Sequence, residues 1–218
     1  KIDNLLKIFY FYKVIEQPKT MYKGLAGFKF REAPPFNPIE KKEWQSKWIE
    51  KQFIENINSY DFGIDLDADT FEKSYVDAKK LFKFFDKYNI KFSIWNSGLK
   101  GWHFILPFEE FRSLVKPFNI DNVIIFCKSL CLDLKDKLKL TKVDTVIYSA
   151  TRFLKCPYTI DKRNNRVIFP LTNKEFLNFK ELYMSMGYVL KQSNLGFRGA
   201  YMDRESNPEG IKQMIGDL

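Results

Sequence analysis

An α+β fold built around a split β-α-β sheet is what the sequence predicts, and three observations carry it. From residue 60 onward the order of patterns is strand, helix, strand, strand, helix, strand, the order of a ferredoxin-like or RNA-recognition-motif-like (RRM-like) sheet with added elements. The two helical stretches carry apolar residues at a 3.6-residue period: Phe71, Tyr75, Ala78, Leu81, Phe82 and Phe85 in one, and Ile120, Val123, Ile124, Cys127, Leu130, Cys131, Leu134 and Leu138 in the other. Between them, two short β-branched and aromatic runs flank a glycine-bearing turn at Ser97–Gly101, as in a hairpin.

Taken in order, residues 3–16 read as a helix with aromatic residues on several sides, stopped by Pro18. Gly24, Gly27 and the alternating Phe28-Lys29-Phe30-Arg31 read as a short strand or hairpin arm. Ala33-Pro34-Pro35-Phe36-Asn37-Pro38 is a stiff connector and marks the expected boundary of an N-terminal unit. Glu40 to Asn58 reads as a helix, with Trp44 and Trp48 as packing residues one turn apart. The stretch Phe62–Asp69 reads as a short strand, with Asp69 or Thr70 as the cap of the helix that follows. Lys91–Trp95 and Trp102–Leu106 form the hairpin strands, with Pro107 closing the second. A short helical piece follows at Glu109–Val115, then the long helix 120–138. Thr141–Ser149 and Arg166–Phe169 read as extended, residues 173–190 as helical, and Leu195–Leu218 carries no assignable pattern. One core spans the chain of 218 residues, with an α/β unit over about 1–58, an RRM-like unit over about 59–190 and a tail over 191–218.

Composition narrows the function classes. A 45% hydrophobic and 17% aromatic chain is a folding sequence. Its net charge of +9, from 36 Lys and Arg against 27 Asp and Glu, favours an anionic partner. Three cysteines and one histidine argue against a disulfide framework or a structural zinc, and Cys127 and Cys131 lie on an apolar stripe. Neither a signal peptide nor a membrane span is visible, so the expectation is a soluble, intracellular protein with no membrane partner.

Three stretches carry chemistry. In Phe62-Gly63-Ile64-Asp65-Leu66-Asp67-Ala68-Asp69, strand alternation sends Asp65 and Asp67 to one face, roughly 6.5–7 Å apart along the backbone. Two such carboxylates suit Mg²⁺ or Mn²⁺, which prefer oxygen ligands, while a solvated strand end before a helix is the plain alternative. In Ser97-Gly98-Leu99-Lys100-Gly101-Trp102-His103, glycines free a turn to bring backbone N–H groups close to a ligand, and with a hydroxyl, an ammonium and an imidazole these make four donor types that suit a triphosphate. A simple hairpin with a core-facing histidine uses the same residues. The third stretch places Asp144 ahead of Arg152, Lys155, Lys162 and Arg163, interleaved with Phe153 and Tyr158. Such a mixture holds phosphates and stacks bases, or is a charged loop.

Together these stretches resemble the archaeo-eukaryotic primase superfamily, whose type member is the small catalytic subunit of DNA primase. That family carries Asp-x-Asp, then Ser-Gly-x-x-Gly-x-His, then an Asp ahead of a basic segment ending in Pro-aromatic-Ser/Thr. Here these are Asp65 and Asp67; Ser97, Gly98, Gly101 and His103; Asp144; and Leu154-Lys155-Cys156-Pro157-Tyr158-Thr159, within about residues 60–171. The resemblance implies that Asp65, Asp67 and Asp144 hold two divalent ions, Mg²⁺ or Mn²⁺. It implies that Ser97, Gly98, Lys100, Gly101, His103, Lys155 and Arg163 hold the incoming NTP or dNTP. Arg152, Tyr158 and Lys162 would face a single-stranded DNA template, and a primase large subunit or a fused or associated helicase is the implied partner. Two departures stand out: Asp161 replaces a family histidine, and residues 68–96 lack the family's cysteine-bearing insertion. Rival readings are a gap-filling or end-joining polymerase that only extends primers, a catalytically inactive nucleic-acid-binding module, and a metal-dependent glycosyltransferase.

Overall fold

The computed structural model describes residues 22–28, 57–150, 152–155, 157, 159–161, 163–189 and 205–218. Its elements mix helix and strand, an α+β architecture, and its central sheet is antiparallel. Strand β4 (Phe62–Leu66) and strand β5 (Ser93–Asn96) flank β6 (Trp102–Leu106), giving the order β4-β6-β5. Isolated bridges extend both edges, Leu66 to Val143 beyond β4 and Trp95 to Pro170 beyond β5.

Alternation divides this sheet. Phe62, Ile64 and Leu66 pair in register with Leu106, Phe104 and Trp102, so these side chains share one face. Helix α1 (Phe71–Lys87) packs there, with Phe85 edge-on to Phe104 at 6.1 Å between ring centres. Thr70 caps α1 by accepting from the Lys73 amide, and the chain leaves through Asn89 at φ 51°. Helix α3 (Ile120–Leu138) matches its expected span, capped by Asn119 and ended by Lys139 in a left-handed conformation. It buries Val123, Cys127, Leu130, Cys131 and Leu134, so both cysteines are free thiols in the core. No helix among the described residues is long and apolar enough to cross a membrane.

The opposite face carries Gly63 and Asp65 on β4, His103 and Ile105 on β6, and Ser93 and Trp95 on β5. Leu25 covers Gly63 so closely that a Cβ there would lie 2.8 Å from its side chain. Leu25 joins β1 (Tyr22–Gly24) to β2 (Ala26–Phe28); β2 pairs with β3 (Ile57–Tyr60), and β1 with β7 (Phe153–Lys155). A short ribbon, β8 (Ile160–Asp161) and β9 (Arg166–Val167), completes the strands.

Several expectations need correction. Ile57 and Asn58 open β3 instead of ending a helix, because Ile57 and Tyr60 are buried on its inner side. The extended run expected at Thr141–Ser149 shrinks to the bridge at Val143. Asp144 accepts the Val146 amide at 2.8 Å and folds the chain into a turn over Thr145–Tyr148. The piece at Glu109–Val115 is α2 (Phe108–Phe111) followed by a 3-10 turn at Arg112–Val115. Residues 173–190 break into α4 (Asn173–Leu177), a 3-10 turn (Glu181–Met184) and α5 (Met186–Val189), since Asn178 and Ser185 interrupt the pattern. The unassigned tail holds α6 (Pro208–Gly216), capped by Asn207. The β5 strand begins two residues later than expected and ends one later, and α1 continues to Lys87. The helices expected at 3–16 and 40–56, the connector at 33–38 and residues 29–31 lie outside the described residues.

Candidate functional site

Strand register brings the motif residues together. Asp65 lies opposite His103 on β6, and His103 lies opposite Trp95 on β5. The Trp95 Nε1–H donates to His103 Nδ1 at 3.0 Å. An indole nitrogen only donates, so Nδ1 is the unprotonated acceptor and the other ring nitrogen carries the proton. That nitrogen, Nε2, faces Asp65 Oδ1 at 3.4 Å. His103 is buried, but it is held between a tryptophan and a carboxylate and is not a histidine packed in apolar surroundings.

Asp65 and Asp67 keep their carboxylates uncommitted to backbone amides among the described residues. Asp65 is half-buried, and Asp67 contacts Lys100 Nζ at 3.7 Å, beyond hydrogen-bond reach. Asp144 arrives by a backbone bond, its N–H donating to the Asp65 carbonyl at 2.9 Å, while its own carboxylate turns to Val146. The three carboxylates are the oxygen donors a hard divalent cation takes, and the Asp144 backbone adjoins that of Asp65. Among the described residues, no group of three His, Cys, Asp or Glu side chains is gathered closely enough to hold a metal ion.

The Ser97–Gly101 turn is tied from within. The Ser97 N–H donates to the Gly101 carbonyl at 2.9 Å, and the Gly98 N–H to Asn96 Oδ1 at 2.9 Å. Those two amides therefore face inward, and an anion here would meet the side chains of Ser97 and Lys100. Gly98, at φ 95°, requires glycine: a Cβ would lie 2.8 Å from Asp161. At Gly101, a Cβ would lie 2.9 Å from the Leu66 carbonyl and from Ser97 Oγ, which seats the turn against the end of β4.

A basic arm closes the site. Lys155, at the end of β7, donates to the Ser97 carbonyl at 2.8 Å and to Asp161 Oδ2 at 2.6 Å. Arg163 grips the same carboxylate through Nη2 at 2.7 Å and Nε at 3.1 Å. Asn164 Nδ2 donates to the Gly98 carbonyl. Arg152 lies exposed just before β7; Tyr158 and Lys162 lie outside the described residues. Burial would push the Asp161 carboxyl up, but hydrogen bonds from Arg163 and Lys155 outweigh it and hold the group well below the usual carboxylate range. Beneath β4, Tyr148 donates its hydroxyl to the Gly63 carbonyl at 2.6 Å, anchoring the segment that follows Asp144.

Four contributors escaped the sequence reading as partners: Trp95, Asn96, Asp161 and Asn164. Asn96 had a local signal, since an Asn before a Ser-Gly turn commonly bonds the backbone two residues on. The other three act across sequence gaps that no local pattern reports.

No family model matches this chain, and a comparison with curated proteins found no match. Among solved structures it is similar to the polymerase domain of Mycobacterium tuberculosis Ligase D, solved in complex with DNA, at 18% identity and a TM-score of 0.44. The match covers 56% of this chain and 47% of that one, so it spans about half of the polymerase-domain chain.

Proposed function

We propose that the chain is a DNA-dependent nucleotidyltransferase of the archaeo-eukaryotic primase type, a primase or primase-polymerase working on a single-stranded DNA template. The observation that carries this reading is the meeting of three separate motif stretches around the central sheet: Asp65 beside His103, Asp144 bonded to the Asp65 backbone, and Lys155, from β7, bonded to the Ser97 carbonyl. The strand order β4-β6-β5 with the Val143 bridge outside β4 supports an RRM-like sheet as the platform. The polar motif residues Asp65 and His103 lie on the face of β4 and β6 opposite Phe85 and Phe104, so the chemistry is separated from the packing.

In this mechanism Asp65, Asp67 and Asp144 would hold two divalent ions. Such ions, when bound, lower the pKa of an attacking 3′-hydroxyl and neutralise charge on the departing pyrophosphate. Ser97, Lys100 and Lys155 would bind the phosphates of the incoming nucleotide and orient them toward the carboxylates. His103 presents its Nε2–H beside Asp65 as a donor for a phosphate oxygen. Arg152 would contact the template strand.

The test is incorporation of labelled NTPs or dNTPs on single-stranded DNA with Mg²⁺ or Mn²⁺, with and without a primer. Products without a primer support a primase. Products only with one point to a polymerase that extends ends or fills gaps. Absence of both, with the protein folded and DNA bound, would favour a binding module and refute the proposed activity.

A further inference from the structure

Asp161 is the most heavily bonded carboxylate near the site. Its side chain is 3% exposed, and both oxygens are taken. Oδ1 accepts from the Arg163 amide at 3.0 Å and from Arg163 Nε, while Oδ2 accepts from Lys155 Nζ and Arg163 Nη2. Its ribbon is folded back by the Asn164 and Asn165 amides, which donate to the Asp161 carbonyl, with Asn165 at φ 55°. The carboxylate also lies against Gly98, whose Cα hydrogen occupies the space a side chain would claim. One carboxylate thus touches the turn, the lysine on β7 and the arginine of its own ribbon.

We propose that Asp161 is a positioning residue that fixes the direction of the Lys155 ammonium toward the phosphates of a bound nucleoside triphosphate. Lys155 has three N–H donors. The Ser97 carbonyl takes one and Asp161 the second, and the tetrahedral geometry of the ammonium then sets where the third points. Lys155 is 16% exposed, so its stem is confined and its charge needs the carboxylate beside it. Arg163, 61% exposed, holds the carboxylate from the solvent side and keeps it from swinging away. Asp161 itself never meets the nucleotide; it acts through Lys155. This inference rests on the nucleotide-binding part of the proposed function.

The test is a double-mutant cycle read by equilibrium binding of a fluorescent nucleoside triphosphate with Mg²⁺, followed to millimolar concentration, with melting temperature recorded alongside. Asp161→Asn is expected to weaken binding ~10-fold with Lys155 present and less than ~2-fold in the Lys155→Met background, as coupled neighbours behave. Unchanged or tighter binding by Asp161→Asn overturns the proposal, as do losses that simply multiply. A lower melting temperature without a change in affinity would mean a purely structural role and overturns it too. If Asp161→Asn does not fold, Asp161→Glu takes its place, with the same dependence on Lys155 expected. Wild-type protein that binds no triphosphate overturns this inference. Wild-type protein that binds triphosphate yet incorporates none refutes the polymerase reading and leaves the cycle to decide the role of Asp161.

Discussion

The Trp95 indole N–H and the His103 Nδ1 meet at 3.0 Å, and that single bond decides which imidazole nitrogen faces Asp65. Replacing Trp95 by Phe keeps a ring of similar shape and removes only the donor. The freed imidazole then samples both tautomers. We expect the nucleotide KM to rise ~3- to 10-fold with a smaller change in kcat, the pattern of lost uniform binding. Steady-state incorporation kinetics check this; an unchanged KM would mean that the tautomer is irrelevant.

Asp65→Ala and Asp67→Ala are each expected to reduce incorporation by at least ~10²-fold, the scale seen when one electrostatic contributor to a transition state is removed. Asp67 is half-exposed and, among the described residues, makes no hydrogen bond closer than its 3.7 Å contact with Lys100, so its variant should melt close to the wild type. Near-normal synthesis by either variant would remove that carboxylate from the chemistry.

Asp161 also predicts an acid response. Its carboxyl is depressed in the folded chain, so the stability it contributes is complete above the unfolded carboxyl value of about 4. That contribution is lost as pH falls from there toward the lower folded value. Asp161→Asn should therefore lower stability at neutral pH and flatten the decline below about pH 4. Urea unfolding at several pH values measures both; a variant as steeply acid-sensitive as wild type would contradict the assignment.

Burial pushes the Cys131 thiol up to about 11 and Cys127 higher still. The thiolate is the reactive species, so neither should be alkylated by iodoacetamide at pH 8 in the native protein, and both should be in urea. Site-resolved mass spectrometry distinguishes them from Cys156. Rapid native labelling of either would displace α3 from the core.

The long helices were legible because their signals are local. A 3.6-residue apolar stripe and an Asn or Thr cap define α3 and the start of α1 without reference to any other segment. The Ser97–Gly101 hairpin was legible for the same reason. The segment after Val143 was not, because Asp144 bonds its own backbone and competes with the ladder, a contest that β-propensity does not register. Helix α6 had its start signal in Asn207-Pro208, but only Ile211 and Met214 form its buried stripe, too few for periodicity to show. In the site, Asp65, His103 and Lys155 were readable as motif residues. Their dependence on Trp95 and Asp161 was not, since those partners meet them through strand register and ribbon folding.

Pairing of β1 with β7 ties Tyr22–Gly24 to the strand that ends in Lys155, while Leu25 seals Gly63 beneath Asp65. A fragment trimmed to the motif-bearing region alone, beginning near residue 57, would retain every candidate ligand yet strip the lysine's strand of its only described ladder neighbour. Such a truncation would keep the chemistry's letters while losing the splint that aligns them.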